Sequence, residues 1–322
     1  MKLTNGIKIA MANKPLCYKM LFSRVVITLI ACIACFLCAD FVIKDIFQSA
    51  EVKSLITFGR DSVKNFILMN EVDANQLSSE LNSHLEGVVN LLKNMLTEIV
   101  VAAIIIVLII QIAKFFVGLC DYVIAVNVNE HMSSMRHAQF FTTLIEHFKP
   151  ACRYALYCVI SLFLYNLLII SVSALLFILL IKYLGLFTLT VVLLFYVLAD
   201  AFRLMCVGMI PPKMVCENYP VTKAIKESFK GLPFKEMRER FLSYFIMRLI
   251  HISVSVICAL STLFVSLVVT IPFFAVAYMA MRFVDYYTVH HKKYYITFDE
   301  IVIPKELRNK GEQLLNKVDI EV

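Results

Sequence analysis

The sequence predicts an all-α fold: a polytopic membrane protein with six transmembrane helices. Composition is the first reason, since 60% of the 322 residues are hydrophobic and 17% charged, at a mean hydropathy of +0.79. Soluble domains carry about 45–50% apolar and 25% charged residues. The second reason is that the apolar residues fall in runs long enough to cross about 30 Å of hydrocarbon at 1.5 Å per residue. The third is the scarcity of breakers. Gly and Pro number eight each, no two Gly are spaced as G-x-x-x-G, and Pro272 is the only Pro well inside an apolar run, so continuous helices are expected.

Residues 1–24 make a basic amphipathic segment with Lys2, Lys8, Lys14, Lys19 and Arg24 and no acid, which the positive-inside rule reads as cytoplasmic. Residues 25–43 are span 1, too far along the chain for a signal peptide and without a small-residue cleavage site. Residues 44–98, with five basic and eight acidic side chains, are expected to form an extracytoplasmic helical hairpin. Val52, Leu55, Ile56, Val63, Phe66 and Ile67 recur along its first arm, and Leu77, Leu81, Leu85, Val88, Leu92 and Met95 along its second. Asp73 and Gln76 suit the N-cap and capping-box positions of the second arm, which puts the tip near Asn70–Asn75. The two arms are expected to bury each other, with a docking or oligomerisation surface as the alternative.

Span 2 is 99–120. Residues 121–153 read as a cytoplasmic loop with an interfacial helix, Phe140, Phe141, Leu144, Ile145 and Phe148 on one face and Thr142, Thr143, Glu146 and His147 on the other. Spans 3 and 4 are 154–181 and 183–210, separated at Lys182 close to Gly185. Residues 211–240 form a second cytoplasmic loop, net +3, with a short helix from Val221 to Lys230 that presents Ile225 and Phe229 on one side and has Gly231 as a C-terminal cap. From Phe241 to Met281 only Arg248 and His251 are ionisable; the run divides into span 5 (241–262) and span 6 (264–284), with a turn between Ser261 and Ser266. Residues 285–322 are a cytoplasmic tail in which Glu306–Val318 suits a short helix.

Six spans return the chain to the cytoplasm. Under that topology six basic residues (Lys44, Lys53, Arg60, Lys64, Lys93, Lys182) lie outside and the other 25 inside or at the inner ends of spans. A five-span alternative would put the tail outside. Lys14-Pro15-Leu16-Cys17-Tyr18 before span 1 matches Lys149-Pro150-Ala151-Cys152-Arg153-Tyr154 before span 3, and Gly231-Leu232-Pro233-Phe234-Lys235 before span 5 is a looser copy. Three helical-hairpin repeats, each led by an inner amphipathic helix, or coincidence in a biased sequence both fit this pattern.

The ten cysteines lie in apolar segments or beside their ends, so no extracytoplasmic disulfide framework is expected. Cys32, Cys35 and Cys38 share one side of a helix, but buried Cys usually behaves as a small hydrophobe, and zinc needs a fourth ligand and a polar surround. With no Trp, interfacial anchoring falls to Tyr such as Tyr122, Tyr154, Tyr183, Tyr244 and Tyr286.

Charges within spans cost about 2.5–3.5 kcal/mol each near a helix centre. Lys114, Asp200, Arg203, Arg248 and His251 all fall in the inner half of their spans by residue count. Asp200 and Arg203 can pair at i and i+3, which leaves Lys114 and Arg248 without an acid at that depth. This cationic set is the candidate site for an anionic lipid headgroup or solute entering from the cytoplasmic leaflet; simple snorkelling of long basic side chains is the competing account. His290, His291, Lys292 and Lys293 form a basic juxtamembrane cluster suited to inner-leaflet lipid. There is no Walker A loop, G-x-S-x-G or H-E-x-x-H pattern, so no catalytic, cofactor-binding or metal-binding residue is assigned and no nucleic-acid partner is expected.

Six spans with Glu217-Asn218-Tyr219-Pro220-Val221-Thr222-Lys223-Ala224-Ile225-Lys226-Glu227-Ser228-Phe229 after the fourth resemble uncharacterised six-helix integral membrane proteins of Gram-positive bacteria. They are distantly similar to the membrane domain of glycerophosphodiester phosphodiesterases. The segment Ile296-Thr297-Phe298-Asp299-Glu300-Ile301-Val302-Ile303-Pro304-Lys305-Glu306-Leu307 adds to the first likeness. The resemblance covers most of the chain and implies a six-helix fold in a bacterial cytoplasmic membrane; it carries no motif of known chemistry. The expected function is a non-enzymatic envelope component that binds membrane lipids, anionic inner-leaflet lipids above all, or a membrane protein partner or second copy. The alternative is a lipid or small-solute transporter with a cationic site in the inner leaflet half; an intramembrane enzyme would need paired acids or a nucleophile with its base.

Overall fold

The structure, a computed structural model, describes residues 2–67, 74–136, 139–185, 187–228, 234–262 and 267–304. Among them are twelve helices and one two-stranded hairpin: α1 (Lys2–Ala12), α2 (Lys14–Gln48), α3 (Ala50–Ile67), α4 (Ala74–Asn94), α5 (Leu96–Ser134), α6 (Phe140–Glu146), α7 (Phe148–Leu184), α8 (Phe187–Val207), α9 (Ile210–Cys216), α10 (Val221–Ser228), α11 (Phe234–Thr262), α12 (Leu267–Val289), β1 (Tyr294–Tyr295) and β2 (Ile301–Val302). Six segments are long and apolar enough to cross a membrane: Lys14–Gln48, Leu96–Ser134, Phe148–Leu184, Phe187–Cys216, Glu236–Thr262 and Val268–Val289. The fold is an all-α polytopic membrane fold. Its lipid-facing surface is apolar, as Leu29, Ile30, Phe36 and Leu37 on α2 and Leu164, Leu167 and Leu168 on α7, all exposed, illustrate.

The chain divides into two compact units, Thr28–Ala113 and the remainder. In the smaller unit Ser49 breaks the helix between α2 and α3. Its hydroxyl donates to the carbonyl of Ile46 at 2.7 Å and accepts the N–H of Val52 at 3.3 Å, the N-cap device that restarts a helix. Helices α3 and α4 pair as arms of a hairpin. Phe58 packs on His84 with ring centroids 5.1 Å apart, the Ser54 hydroxyl lies 3.2 Å from His84 Nδ1, and a Cβ on Gly87 would stand 3.7 Å from Glu51. The contact face follows the sequence reading only in part, through Val52, Leu55 and Val88. Ile56, Val63, Leu81 and Leu85 are exposed, because Val52, Leu55, Phe58 and Ser62 recur at the spacing that turns toward the partner arm. The expected tip, with Asp73, lies mostly outside the described residues.

In the larger unit α12 is the most buried span. Phe274, Val276, Ala277, Ala280, Met281, Phe283 and Val284 are all 4% exposed or less, although Pro272 lies inside the helix, where it removes one i→i−4 hydrogen bond. Helix α1 packs on α12. A Cβ on Gly6 would come 3.1 Å from Met281 Cβ, so any larger residue would push α12 back, and Ile9 and Ala10 are fully buried beside it. Within the basic segment 1–24, the small-residue face of α1 docks into the core. Asn13 ends α1 by donating its amide to the Ile9 carbonyl at 2.9 Å, and Pro15 falls in the first turn of α2, as the geometry of proline favours.

Three boundaries move. Helix α5 runs through the segment read as a loop from 121, because Tyr122, Val123, Ile124, Val126 and Val128 carry the apolar pattern onward and are buried. The turn between α7 and α8 falls at Gly185, which caps α7 at φ 52°, so Lys182 lies inside the last turn. Helix α8 ends at Val207, but the apolar segment continues through α9, in which Pro211 and Pro212 are buried rather than beginning a polar loop. Short helices α1, α6 and α10 precede α2, α7 and α11. On α6 the exposed apolar residues are Phe141 and Ile145, whereas Phe140 and Thr143 turn into the core. Phe229, Gly231 and Glu306–Val318 lie outside the described residues. The tail is not wholly free: Tyr295 pairs with Ile301 across the β1–β2 hairpin, and Tyr294 and Ile296 are buried.

Candidate functional site

Inside the larger unit the charged side chains of several helices meet. Asp200, on α8, is at the centre. Its Oδ1 accepts from Arg203 Nε at 3.0 Å and Nη2 at 2.6 Å, one turn along the same helix, and its Oδ2 is 3.0 Å from Arg248 Nε on α11. The carboxylate side chain is only 4% exposed. Arg248 lies fourteen residues from either end of α11, so roughly 21 Å of helix extends on each side at 1.5 Å per residue. Its guanidinium Nη1 is 3.2 Å from His251 Nδ1; a guanidinium only donates, so that nitrogen stands where it would accept. His251 stacks on Phe274 at 4.3 Å. The Arg203 guanidinium lies 4.9 Å from the Tyr165 ring. Arg203 and Arg248 thus turn inward to a shared carboxylate rather than away along the helix surface.

Three residues join them that sequence reasoning had placed elsewhere. Arg24 from α2 pairs with Asp121 from α5 at 2.9 Å, and Arg282 comes from α12. Together with Asp200, Arg203, Arg248, His251 and Tyr278 they line a cavity of about 250 Å³. Asp121, Arg203 and Arg282 also line a neighbouring cavity of about 300 Å³, whose other wall carries Tyr154, Tyr157, Cys158, Ser161 and Tyr165 of α7. Four guanidiniums therefore face two carboxylates. Arg282 Nε and the Tyr165 hydroxyl are buried and have no hydrogen-bond partner among the described residues. Buried polar atoms normally find partners, so the chamber is equipped for more hydrogen bonds than the chain itself makes.

Of the five residues singled out in the sequence, Asp200, Arg203, Arg248 and His251 converge here. Lys114 does not: it is half-buried on α5, two turns before Asp121, and lines neither cavity. The helical spacing Ile271, Ala275, Tyr278, Arg282 was the signal that would have found the α12 contribution.

A second ionic group is structural. Asp285, with its side chain 4% exposed, is 2.7 Å from Lys2 Nζ and 2.8 Å from Arg240 Nε, and Arg240 is almost wholly buried. It ties α1, α11 and α12 together, while Asn5 donates to the Tyr294 hydroxyl at 2.9 Å and Lys8 contacts Glu300 at 2.7 Å. Past the end of α12, His290 Nε2 is 3.6 Å from Glu217; burial holds its imidazole below the usual range, with the Glu217 carboxylate pulling the other way.

All ten cysteines are free, and Cys38 Sγ lies 3.8 Å from the Ala102 carbonyl. Among the described residues no three His, Cys, Asp or Glu side chains are disposed to hold a metal. Comparison with known protein families, with curated proteins and with solved structures finds no match to this chain.

Proposed function

We propose that this protein is a non-enzymatic membrane component that binds an anionic group, a lipid headgroup or a solute of the same charge, in the chamber between α2, α5, α7, α8, α11 and α12. The excess of guanidiniums over carboxylates carries the reading. Arg24 answers Asp121, and Asp200 answers Arg203 and Arg248 between them, so the chamber holds two positive charges more than its own acids neutralise. Charges away from water are costly unless paired, and planar guanidiniums match phosphate and carboxylate oxygens in pairs. The basic bias of the predicted inner segments supports a cytoplasmic placement of both ends of the chain and access from the inner leaflet. The resemblance of the sequence to six-helix integral membrane proteins of Gram-positive bacteria supports a bacterial cytoplasmic membrane.

Native mass spectrometry of protein extracted with its own lipids tests this. Wild type should retain an anionic species that Arg203→Ala and Arg248→Ala both lose; folded protein with no retained anion in any of the three would refute it. Transport of the same ligand is the second reading, favoured by the mid-helix position of Arg248. Ligand flux in proteoliposomes that both variants abolish would establish it.

A further inference from the structure

We infer that the ligand is a phosphate ester of a polyol or sugar, its phosphate among the guanidiniums and its hydroxyls against the tyrosines of α7. The inference rests on the anion-binding function proposed above and deepens it.

The chamber has two compartments of different chemistry. One is ionic, with Arg24, Arg203, Arg248 and Arg282 around a space of about 250 Å³. The other, of about 300 Å³, shares Asp121, Arg203 and Arg282 with the first and adds the hydroxyl, thiol and aromatic groups of Tyr154, Tyr157, Tyr165, Ser161 and Cys158 beside the aliphatic Leu162, Val207 and Ile210. Arg203 and Arg282 border both, so one ligand reaching from the first into the second stays in contact with guanidinium. A bare anion would leave the tyrosine side empty, and an acyl chain, though it could meet Leu162, Val207 and Ile210, would leave the buried Tyr165 hydroxyl unmatched. A hydroxylated group matches it. Buried atoms of the chamber without a hydrogen-bond partner among the described residues include Arg24 Nε and the Tyr278 hydroxyl. With them are Arg282 Nε, which borders both cavities and is a donor suited to phosphate oxygen, and, on the α7 side, the Tyr165 hydroxyl, which can donate and accept and so suits an alcohol. Tyr165 also holds its ring against Arg203, so the alcohol and phosphate positions are adjacent. Either a lipid with a polyol phosphate headgroup or a water-soluble polyol phosphate presents this chemistry.

The experiment measures binding to the full-length purified protein in two arms. In the soluble arm, in detergent, sn-glycerol 3-phosphate is compared with inorganic phosphate. In the lipid arm, bilayer nanodiscs of phosphatidylcholine carry either phosphatidylglycerol or phosphatidic acid. The expected result is at least a tenfold preference for the hydroxylated ligand in one arm, which identifies its source, and a fall in that preference of about tenfold in Tyr165→Phe. Arg282→Gln should weaken both ligands of that arm at least tenfold. If phosphate and phosphatidic acid bind as well as their hydroxylated counterparts, the inference is overturned while the anion-binding function stands. If no anion binds in either arm, both are overturned. Tyr165→Phe removes one oxygen atom, and its thermal midpoint, measured alongside, separates loss of preference from loss of fold.

Discussion

Asp200→Asn keeps the shape of the central side chain and removes its charge, leaving Arg203 and Arg248 facing each other without an anion. At contacts of 2.6 and 3.0 Å each ion pair is worth roughly 6 kcal/mol at an effective dielectric constant near 20. Desolvation of the three groups offsets much of that, and removing one partner of a buried pair costs about 3–5 kcal/mol. At about 2–4 °C per kcal/mol for a chain of this order of size, even 3 kcal/mol lowers the thermal midpoint by about 6–12 °C. A thiol-reactive dye reads the transition directly, because the free Cys120 is buried and becomes reactive on unfolding. Adding Arg248→Met to Asp200→Asn removes one uncompensated cation and should recover at least half of the loss. A midpoint within 2 °C of wild type for Asp200→Asn, or strictly additive losses in the double variant, would show that these groups are not coupled as their geometry implies.

Gly118→Val should destabilise by about 1–3 kcal/mol, since even a Cβ there would stand 2.9 Å from Ala155 Cα; the same thermal assay checks it, and an unchanged midpoint would mean α5 and α7 separate freely. Gly6→Val should release α1 from α12, read as new protease cleavage within residues 2–12 of otherwise folded protein. For His290 the folded imidazole titrates below its free value of 6.5, so the unfolded chain takes up a proton first and stability declines as pH falls below about 6.5. His290→Gln should flatten that part of the stability profile, and an identical profile would refute the assignment. Reducing agent should leave the wild-type midpoint unchanged, because no cysteine is bridged.

Much of this was legible in the sequence because the hydrophobic effect writes length and period into the chain. The six spans, the α3–α4 hairpin and the Asp200–Arg203 spacing follow from runs and offsets along single helices. What was hidden depends on which helix faces meet. Arg24, Asp121 and Arg282 stand at the ends of apolar runs, where a charge reads as a helix terminus in water; only packing turns them into one chamber. Lys114 has the better sequence credentials, deeper in its run, yet lies two turns along α5 from Asp121 and lines neither cavity. The continuation of α5 to Ser134 was masked because Asp121, Asn127 and Asn129 interrupt its hydropathy; Asn127 instead donates to the carbonyl of Val123 at 2.9 Å, and Asn129 accepts the Tyr287 hydroxyl at 3.0 Å.

The docking of α1 on α12 also sets an order of events during synthesis. Helix α1 leaves the ribosome more than 250 residues before α12, which at about 5–20 residues per second is a wait of roughly 15–60 s. Throughout that interval Ile9 and Ala10 lack their partners, and Asp285, the acid that neutralises Lys2 and Arg240, has not yet been made. A chain interrupted before α12 would therefore keep an exposed apolar α1 and an unanswered Arg240, features by which quality-control proteases and chaperones tell unfinished membrane proteins from finished ones.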